Sequence, residues 1–137
     1  MKKIITKKFI LTTFICIVTI AEGLLFYNKL PDEMATHFTF SGVPNGYSDK
    51  NFAVFFIPLL LAALNILITF SLEYSEKSQN RTKLYRIVYT WLCPVLAVVI
   101  QTSVILFALG INLTQISLII ITLYILLLIF ASIRKED

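Results

Sequence analysis

The chain has 137 residues, of which 58% are apolar, and its formal charge is +4. A soluble domain is about 45–50% apolar, so this excess, with a mean hydropathy of +0.84, indicates a membrane protein. The basic residues are not interleaved with aromatic residues as a nucleic-acid stacking surface requires, which argues against a nucleic-acid partner. Long apolar segments leave no room for a separate soluble domain, and we predict a single membrane domain over residues 1–137.

Four segments are long and apolar enough to cross a bilayer, which takes about 20 residues per helix. They are residues 9–27, 52–72, 87–109 and 113–133. We therefore predict an all-α integral membrane protein with four transmembrane helices in an antiparallel bundle. An ordered outer loop at residues 28–51 joins the first two helices. A charged loop at residues 73–86 joins the next two, and a very short connection precedes the last.

The basic residues predict that both termini are cytoplasmic, because Lys and Arg near the ends of spans are retained on that side. Ten of the twelve lie before the first span, in the 73–86 loop or after the last span, and only Lys29 and Lys50 lie on the other side. We predict a multi-pass protein of a bacterial cell membrane. A cleavable signal peptide is the alternative for residues 1–21, but the apolar stretch there exceeds the about 7–15 residues of a signal-peptide core.

Three spans carry small or polar residues at helical spacing, a pattern that lets membrane helices pack closely. The stripes are Thr12, Cys16, Thr19 and Gly23, then Pro58, Ala62, Asn65 and Thr69, and then Thr90, Pro94, Ala97, Gln101 and Ala108. We predict that these faces point into the bundle. The fourth span is mostly Ile and Leu and is expected to be peripheral, and the two prolines are expected to kink their helices.

The intramembrane polar residues of interest are Glu22, Asn65 and Gln101. A charged group inside a bilayer is costly, so Glu22 is expected to face protein or water. We predict that Glu22, Gln101 and Thr122 form a polar layer in the half of the bundle nearest the outer loop. The alternative is that Glu22 is protonated or reaches interfacial water.

The outer loop contains the only histidine of the chain, His37. Pro44-Asn45-Gly46 predicts a turn, and Gly42 predicts a second bend. His37 is expected to pin the loop internally. At the end of the loop, Ser48 or Asp49 is placed to cap the second helix, and Lys50 is placed to pair with Asp32, Glu33 or a lipid phosphate.

The loop residues also form a spaced pattern. They are Leu30-Pro31-Asp32-Glu33, Thr36-His37-Phe38, Phe40-Ser41-Gly42, Pro44, Gly46-Tyr47 and Lys50. This pattern, between two spans, resembles a bacterial membrane domain of unknown function that occurs in SdpI-type proteins, with the approximate motif LPxxxPxHFNxxGxPD and a later Lys. The resemblance covers about residues 8–72. Ala35, Thr39 and Asn45 depart from the Pro, Asn and Asp of that motif.

SdpI-type proteins are named after an immunity protein against a secreted peptide toxin. The resemblance implies a non-enzymatic membrane protein of the immunity or signalling type, which recognises or excludes a toxic peptide at the outer face. The candidate binding residues are Pro31, His37, Phe38, Gly42, Pro44, Gly46 and Lys50. Candidate partners are membrane lipids, the secreted peptide, a cytoplasmic regulator and a second copy of the chain.

Three alternatives stay open. The loop residues can serve the fold alone. The chain can be a small transporter or an accessory subunit of an exporter, with Glu22, Asn65 and Gln101 along its path. An enzyme is the least favoured, because one histidine with scattered carboxylates is a weak zinc signature. We predict no metal and no cofactor.

Overall fold

The computed structural model describes residues 6–134 of the chain. Lys2, Lys3 and Lys135, which enter the charge argument, lie outside the described residues. The helical elements are α1 (Lys7–Val18), α2 (Ile20–Phe26), a 3₁₀ turn (Tyr27–Lys29), a π-helical turn (Phe52–Phe56), α3 (Ile57–Tyr74), α4 (Glu76–Gln79), α5 (Lys83–Ala108) and α6 (Thr114–Ile133). Between the 3₁₀ turn and the π-helical turn lie two strands, β1 (Glu33–Phe38) and β2 (Pro44–Asp49).

Four helical segments are long and apolar enough to cross a membrane. They are Lys7–Lys29, Phe52–Tyr74, Lys83–Ala108 and Thr114–Ile133. Their bounds confirm the four spans predicted from the sequence to within a few residues. Four apolar helices of this length indicate a multi-pass membrane protein.

Side chains at the helix ends fix several boundaries. Thr6 before α1 accepts a hydrogen bond from the Phe9 N–H, and Thr82 before α5 accepts one from the Tyr85 N–H, both at 3.1 Å. Each bond satisfies a backbone donor that the start of a helix leaves without a partner. Asp49 does the same before the second of the four helical segments, where its carboxylate accepts from the Asn51 N–H at 2.7 Å.

A glycine ends α5 and reverses the chain. Gly110 has a φ of +88°, its N–H donates to the Phe107 carbonyl at 3.0 Å, and the Ile111 N–H donates to the Leu106 carbonyl at 2.8 Å. This pair of bonds closes a helix whose next residue is left-handed, which favours glycine. The short connection therefore lets α6 pack back along α5 as its antiparallel neighbour.

The predicted small and polar stripes face the inside of the bundle. α1, α3 and α5 pack against one another, whereas α6 packs mainly on α5. The buried stripe residues are Thr12, Cys16, Thr19, Gly23, Pro58, Ala62, Asn65, Pro94, Ala97 and Gln101. Only 6% of the most apolar stretch of α6 is buried, against 39% for α5, which confirms that the fourth span is peripheral.

The two prolines act differently on their helices. The π-helical turn ends at Phe56, and Pro58 is the second residue of α3. The change from π-helical to α-helical winding therefore occurs next to a residue that has no backbone N–H. Pro94 is buried inside α5, which continues through it from Lys83 to Ala108. An irregular stretch of helix therefore precedes Pro58, whereas α5 runs without interruption through Pro94.

The segment predicted as an ordered loop is a β-hairpin, so the all-α description holds for the spans but not for residues 33–49. β1 and β2 pair antiparallel from Glu33 opposite Asp49 to Phe38 opposite Pro44. The pairing is irregular on both sides of His37, and the consecutive residues Met34 and Ala35, which pair regularly with Ser48 and Tyr47, are both buried.

The turn of this hairpin is not where the sequence placed it. Pro44-Asn45-Gly46 is the beginning of β2, and the chain reverses over residues 39–43. There the Thr39 N–H donates to the Val43 carbonyl at 2.8 Å, and the Gly42 N–H donates to the Thr39 carbonyl at 2.9 Å. Gly42 has a φ of +79°, so the bend assigned to it as secondary is the main turn. Local turn propensity at Pro44 yields here to strand pairing with β1.

Candidate functional site

The hairpin is packed onto the ends of the helices. Leu30 and Met34 belong to a buried apolar cluster with Ala53, Val54, Val104 and Ile105. Phe38 packs against this cluster and meets Phe107 of α5 edge-to-face, with ring centroids 5.0 Å apart. Such aromatic pairs add about 0.5–1.5 kcal/mol to the burial itself. We call the part of the molecule formed by residues 27–51 and 107–115 the hairpin end.

The turn of the hairpin rests on the start of α6. The Thr114 hydroxyl lies 3.1 Å from the Gly42 carbonyl oxygen and 2.6 Å from Asn112 Oδ1. Gln115 Nε2 donates to the Ser41 carbonyl at 3.1 Å. A Cβ at residue 42 would lie 2.6 Å from Thr114 Oγ1. The contact requires glycine both for the positive φ and for this close approach.

Lys50 lies at the open end of the hairpin, where it contacts residues just before β1. Its Nζ lies 3.3 Å from Asp32 Oδ1 and 3.4 Å from the Leu30 carbonyl oxygen. It also sits 4.7 Å from the centre of the Tyr27 ring. The side chain of Asp32 is 98% exposed, so the ion pair itself contributes little to stability. The pairing with Asp32 is one of the three that the sequence left open.

His37 is exposed and makes no cross-strand hydrogen bond among the described residues. Its Nδ1 lies 3.3 Å from the hydroxyl of the adjacent Thr36. The bond across the strands is instead made by the Thr36 and Ser48 hydroxyls, 2.9 Å apart. His37 therefore does not pin the loop as expected. Its Cβ side faces Gly46, where an added Cβ would come within 3.0 Å, so Gly46 makes room for the histidine.

A small cavity of about 220 Å³ lies between β1 and the helices α5 and α6. Its walls combine apolar side chains with hydroxyl groups and His37. The lining residues include Thr36, His37, Phe38, Val104, Ser117 and Leu118. Next to it, the Phe40 ring at the tip of the turn borders a second recess along α6. The exposed fractions of Phe40, Tyr47 and Val43 are 94%, 62% and 56%.

The predicted binding residues thus have different positions. Phe38, Gly42, Gly46 and Lys50 hold the hairpin, and His37 borders the cavity. Pro31 is exposed just before β1, and Pro44 begins β2. Sequence reasoning missed Thr114, Gln115 and Phe107, because their contacts with the hairpin join residues far apart in the chain and carry no local signal.

The intramembrane polar residues form separate pairs, and the three-membered polar layer is wrong. Glu22 Oε2 accepts a hydrogen bond from the Thr102 hydroxyl at 2.8 Å. Thr122 is exposed on α6 and donates to the Leu118 carbonyl of its own helix at 2.8 Å. The spacing along α6 could not give the face on which Thr122 lies.

Asn65 and Gln101 are both buried, and they are satisfied to different degrees. Asn65 Nδ2 donates to the Thr12 and Thr13 hydroxyls at 3.0 and 3.1 Å, joining α3 to α1. Gln101 Nε2 lies 3.5 Å from the Val54 carbonyl oxygen. Pro58 has no N–H to donate to that carbonyl, so the glutamine amide takes the place of the missing donor. Gln101 Oε1 has no hydrogen-bond partner within residues 6–134.

No cluster of three or more His, Cys, Asp or Glu side chains suited to a metal ion occurs within residues 6–134. Cys16 and Cys93 are free thiols, and both belong to one buried cluster with Leu61, Ala62 and Ala97.

Part of the chain matches a known protein-family model. Residues 14–62 match the family described as a domain of unknown function (DUF1648). The matched segment runs from within α1 through α2 and the hairpin into α3, so it includes every loop residue of the spaced pattern. No curated protein and no solved structure matches the chain.

Proposed function

We propose that the chain is a non-enzymatic protein of the bacterial cell membrane that recognises a secreted toxic peptide with its hairpin end. It would act in immunity or signalling, as SdpI-type proteins do. The observation that supports this most is a preformed, partly apolar surface on a hairpin that is fastened to the helices. The surface consists of the exposed side chains of Phe40, Val43 and Tyr47 together with the cavity beside β1.

The attachment of the hairpin favours recognition. Phe38 on Phe107 and Gly42 on Thr114 hold the turn end of the hairpin against α5 and α6, and Lys50 lies near Asp32 at its open end. A surface ordered before binding loses less conformational entropy when a partner arrives. The exposed rings are therefore presented in a fixed arrangement.

The size of the cavity favours a peptide over a small organic ligand. Ligand pockets usually measure about 300–1,000 Å³, whereas this cavity measures about 220 Å³. That volume accommodates an apolar side chain, and the remaining contacts would come from the exposed face of the hairpin. An extended peptide can also pair with the free edge of a strand, a common mode of peptide recognition.

The charges of the hairpin end favour a cationic peptide. Asp32, Glu33 and Asp49 are all exposed, and Glu33 stands directly opposite Asp49 in the hairpin. Lys29 and Lys50 offset two of these three carboxylates, and Lys50 is close to Asp32. The remaining excess of one negative charge attracts basic segments of a partner and raises the association rate. We therefore propose that the recognised partner is a cationic peptide with at least one large apolar side chain.

The signalling form of the proposal adds a cytoplasmic regulator, which would contact the charged connector at residues 73–86. The distribution of Lys and Arg supports the placement of the hairpin outside the cell. Homo-oligomers are compatible with either form.

A small transporter or an accessory subunit of an exporter is the second candidate. Its support is Gln101 Oε1, a buried polar atom without a hydrogen-bond partner among residues 6–134, because polar groups inside membrane spans often lie along a path. Asn65 and Glu22 favour it less, because each is used in a hydrogen bond between helices. Efflux of peptides or lipophilic cations from cells that express the chain would support this candidate.

The proposed function is tested by measuring the survival of bacteria that express the chain. A peptide-sensitive bacterium expressing the chain is challenged with synthetic versions of the secreted peptides encoded near its gene. We expect the wild type to raise the inhibitory concentration of one peptide, and the Phe40→Ser/Tyr47→Ser variant to lose most of this protection because it lacks both exposed rings.

The matched control is Ile111→Ser, which removes another exposed apolar side chain at the hairpin end. It should protect as well as the wild type, and all variants should be present at equal levels in the membrane. Full protection by Phe40→Ser/Tyr47→Ser at normal protein level would exclude the hairpin surface as the recognition site.

A further inference from the structure

The opposite end of the bundle carries a pocket of different chemistry. A recess of about 400 Å³ lies among the start of α1, the end of α3 and the start of α5. Four cationic side chains line it, with one carboxylate. They are Lys8, Arg81, Lys83, Arg86 and Glu73. We call this part of the molecule, residues 72–90 with Lys8 and Ser132, the basic end.

The two arginines are fixed by the ends of two helices. Arg86 Nη1 donates to the Leu72 carbonyl and Nη2 to Glu73 Oε1, both at 2.9 Å. Arg81 Nη1 donates to the Ser132 carbonyl near the end of α6, also at 2.9 Å. Carbonyls in the last turn of a helix lack intrahelical donors, so each guanidinium is bound to a group that needs it. The positive charges are thereby held in place before any ligand arrives.

Fixed guanidinium groups still have donors to offer. An arginine carries five N–H donors, and among residues 6–134 the bonds described use one donor of Arg81 and two of Arg86. Among the side chains that line the recess, Glu73 is the one carboxylate beside four cationic groups, and it pairs with Arg86. The recess therefore retains an excess of positive charge and directional donors, a combination that suits a phosphate oxygen.

The surroundings of the recess point to a ligand at the membrane interface. Ile87 and Thr90, one turn farther along α5, form its wall toward the apolar part of the span. Ile87 is 45% exposed. A basic rim above an apolar wall at the end of a span matches a molecule with an anionic head and a hydrocarbon tail. Basic pockets between membrane helices bind such headgroups.

We propose that this recess binds the phosphodiester headgroup of an anionic phospholipid. Arg81 and Arg86 supply fixed donors, Lys8 and Lys83 add charge, and the first acyl segments lie along Ile87. The site concerns the basic end only and does not rest on the function proposed for the hairpin end.

The experiment is native mass spectrometry of the full chain in detergent, with phosphatidylglycerol, phosphatidylcholine and inorganic phosphate as separate probes. The test variant is Lys8→Gln/Lys83→Gln, which leaves both arginines and their helix-end bonds in place. We expect the wild type to prefer phosphatidylglycerol over phosphatidylcholine. The variant should bind phosphatidylglycerol about 10- to 30-fold more weakly, since each of the two basic residues removed is worth roughly fivefold near an anionic headgroup.

The control variant, Lys7→Gln/Lys77→Gln, removes the same charge at the same end from two exposed lysines outside the recess. It should change the affinity for phosphatidylglycerol less than about threefold. Thermal unfolding is recorded for each variant, and Lys8→Glu replaces the double variant if that protein unfolds. Equal loss in test and control variants would overturn the proposal, as would inorganic phosphate binding as tightly as phosphatidylglycerol.

Discussion

Different kinds of contact hold together the hairpin end and the basic end of this molecule. At the hairpin end, a glycine turn, a buried methionine and an aromatic pair fasten the chain to α5 and α6. At the basic end, arginine side chains bind the carbonyls near the ends of α3 and α6. The hairpin end relies on close packing, and the basic end relies on charge-assisted hydrogen bonds. The first also leaves aromatic rings exposed, whereas the second leaves cations exposed.

The packing contacts at the hairpin end should be more sensitive to substitution than the hydrogen bonds at the basic end. Gly42→Ala introduces a Cβ 2.6 Å from Thr114 Oγ1 at a φ of +79°. We expect a loss of about 3 kcal/mol in the free energy of unfolding in detergent, from backbone strain and the clash together.

Gly110→Ala is the matched control for that substitution. Gly110 has a φ of +88°, but an added Cβ would meet nothing within 4 Å. It should therefore cost only the strain, about 1–2 kcal/mol. Equal losses for the two variants would show that the contact between Gly42 and Thr114 does not hold the hairpin.

The charge-assisted hydrogen bonds at the basic end should be less sensitive to substitution. Arg86→Gln removes the bonds to the Leu72 carbonyl and to Glu73, but Gln79 Nε2 still donates to the same carbonyl at 3.0 Å. About a third of each side chain in the ion pair is exposed, so solvent reduces its contribution. We expect a loss of about 1–2 kcal/mol in the same unfolding measurement.

The ion-pair part of that loss should shrink at high salt, because salt screens partly exposed charges. Lys77→Gln, on the exposed face of α4, is the control and should leave stability unchanged. A loss above that of Gly42→Ala would reverse the ranking of the two ends.

The smallest effect is expected between the two ends, at Gln101. Gln101→Met removes a 3.5 Å contact with the Val54 carbonyl, and it also removes the buried oxygen that has no partner within residues 6–134. These effects oppose each other, so stability should change by less than about 1 kcal/mol.

Asn65→Leu serves as the comparison, because both of its bonds to threonine hydroxyls are lost. It should cost about 1–2 kcal/mol, which is the upper range for polar contacts between membrane helices. If Gln101→Met cost more than Asn65→Leu, Gln101 Oε1 would have to be bonded to a group such as a buried water.

The sequence predicted what depends on periodicity. Hydropathy located the four spans, and the small residues from Thr12 to Gly23 identified the buried face of the first one. The peripheral position of α6 followed from its uniform Ile and Leu content. Each of these features repeats along a helix, so it leaves a pattern in the sequence.

The candidate site was less predictable, because its contacts join distant segments. Nothing local to Gly42 indicates that Thr114 lies above it, and nothing local to Pro58 indicates that Gln101 replaces its missing donor. The strongest local turn signal, Pro44-Asn45-Gly46, became strand because β1 pairs with it. A local turn propensity yields to pairing along the whole hairpin.

The central claim is that the hairpin end faces outward and the basic end faces the cytoplasm. It is tested by labelling intact cells with a membrane-impermeant maleimide, using single-cysteine variants in which Cys16 and Cys93 are both replaced by alanine. Phe40, at the hairpin tip, and Lys77, on α4, are both exposed positions. The account predicts that Phe40→Cys reacts in intact cells and that Lys77→Cys reacts only after permeabilisation. The reverse pattern would contradict it.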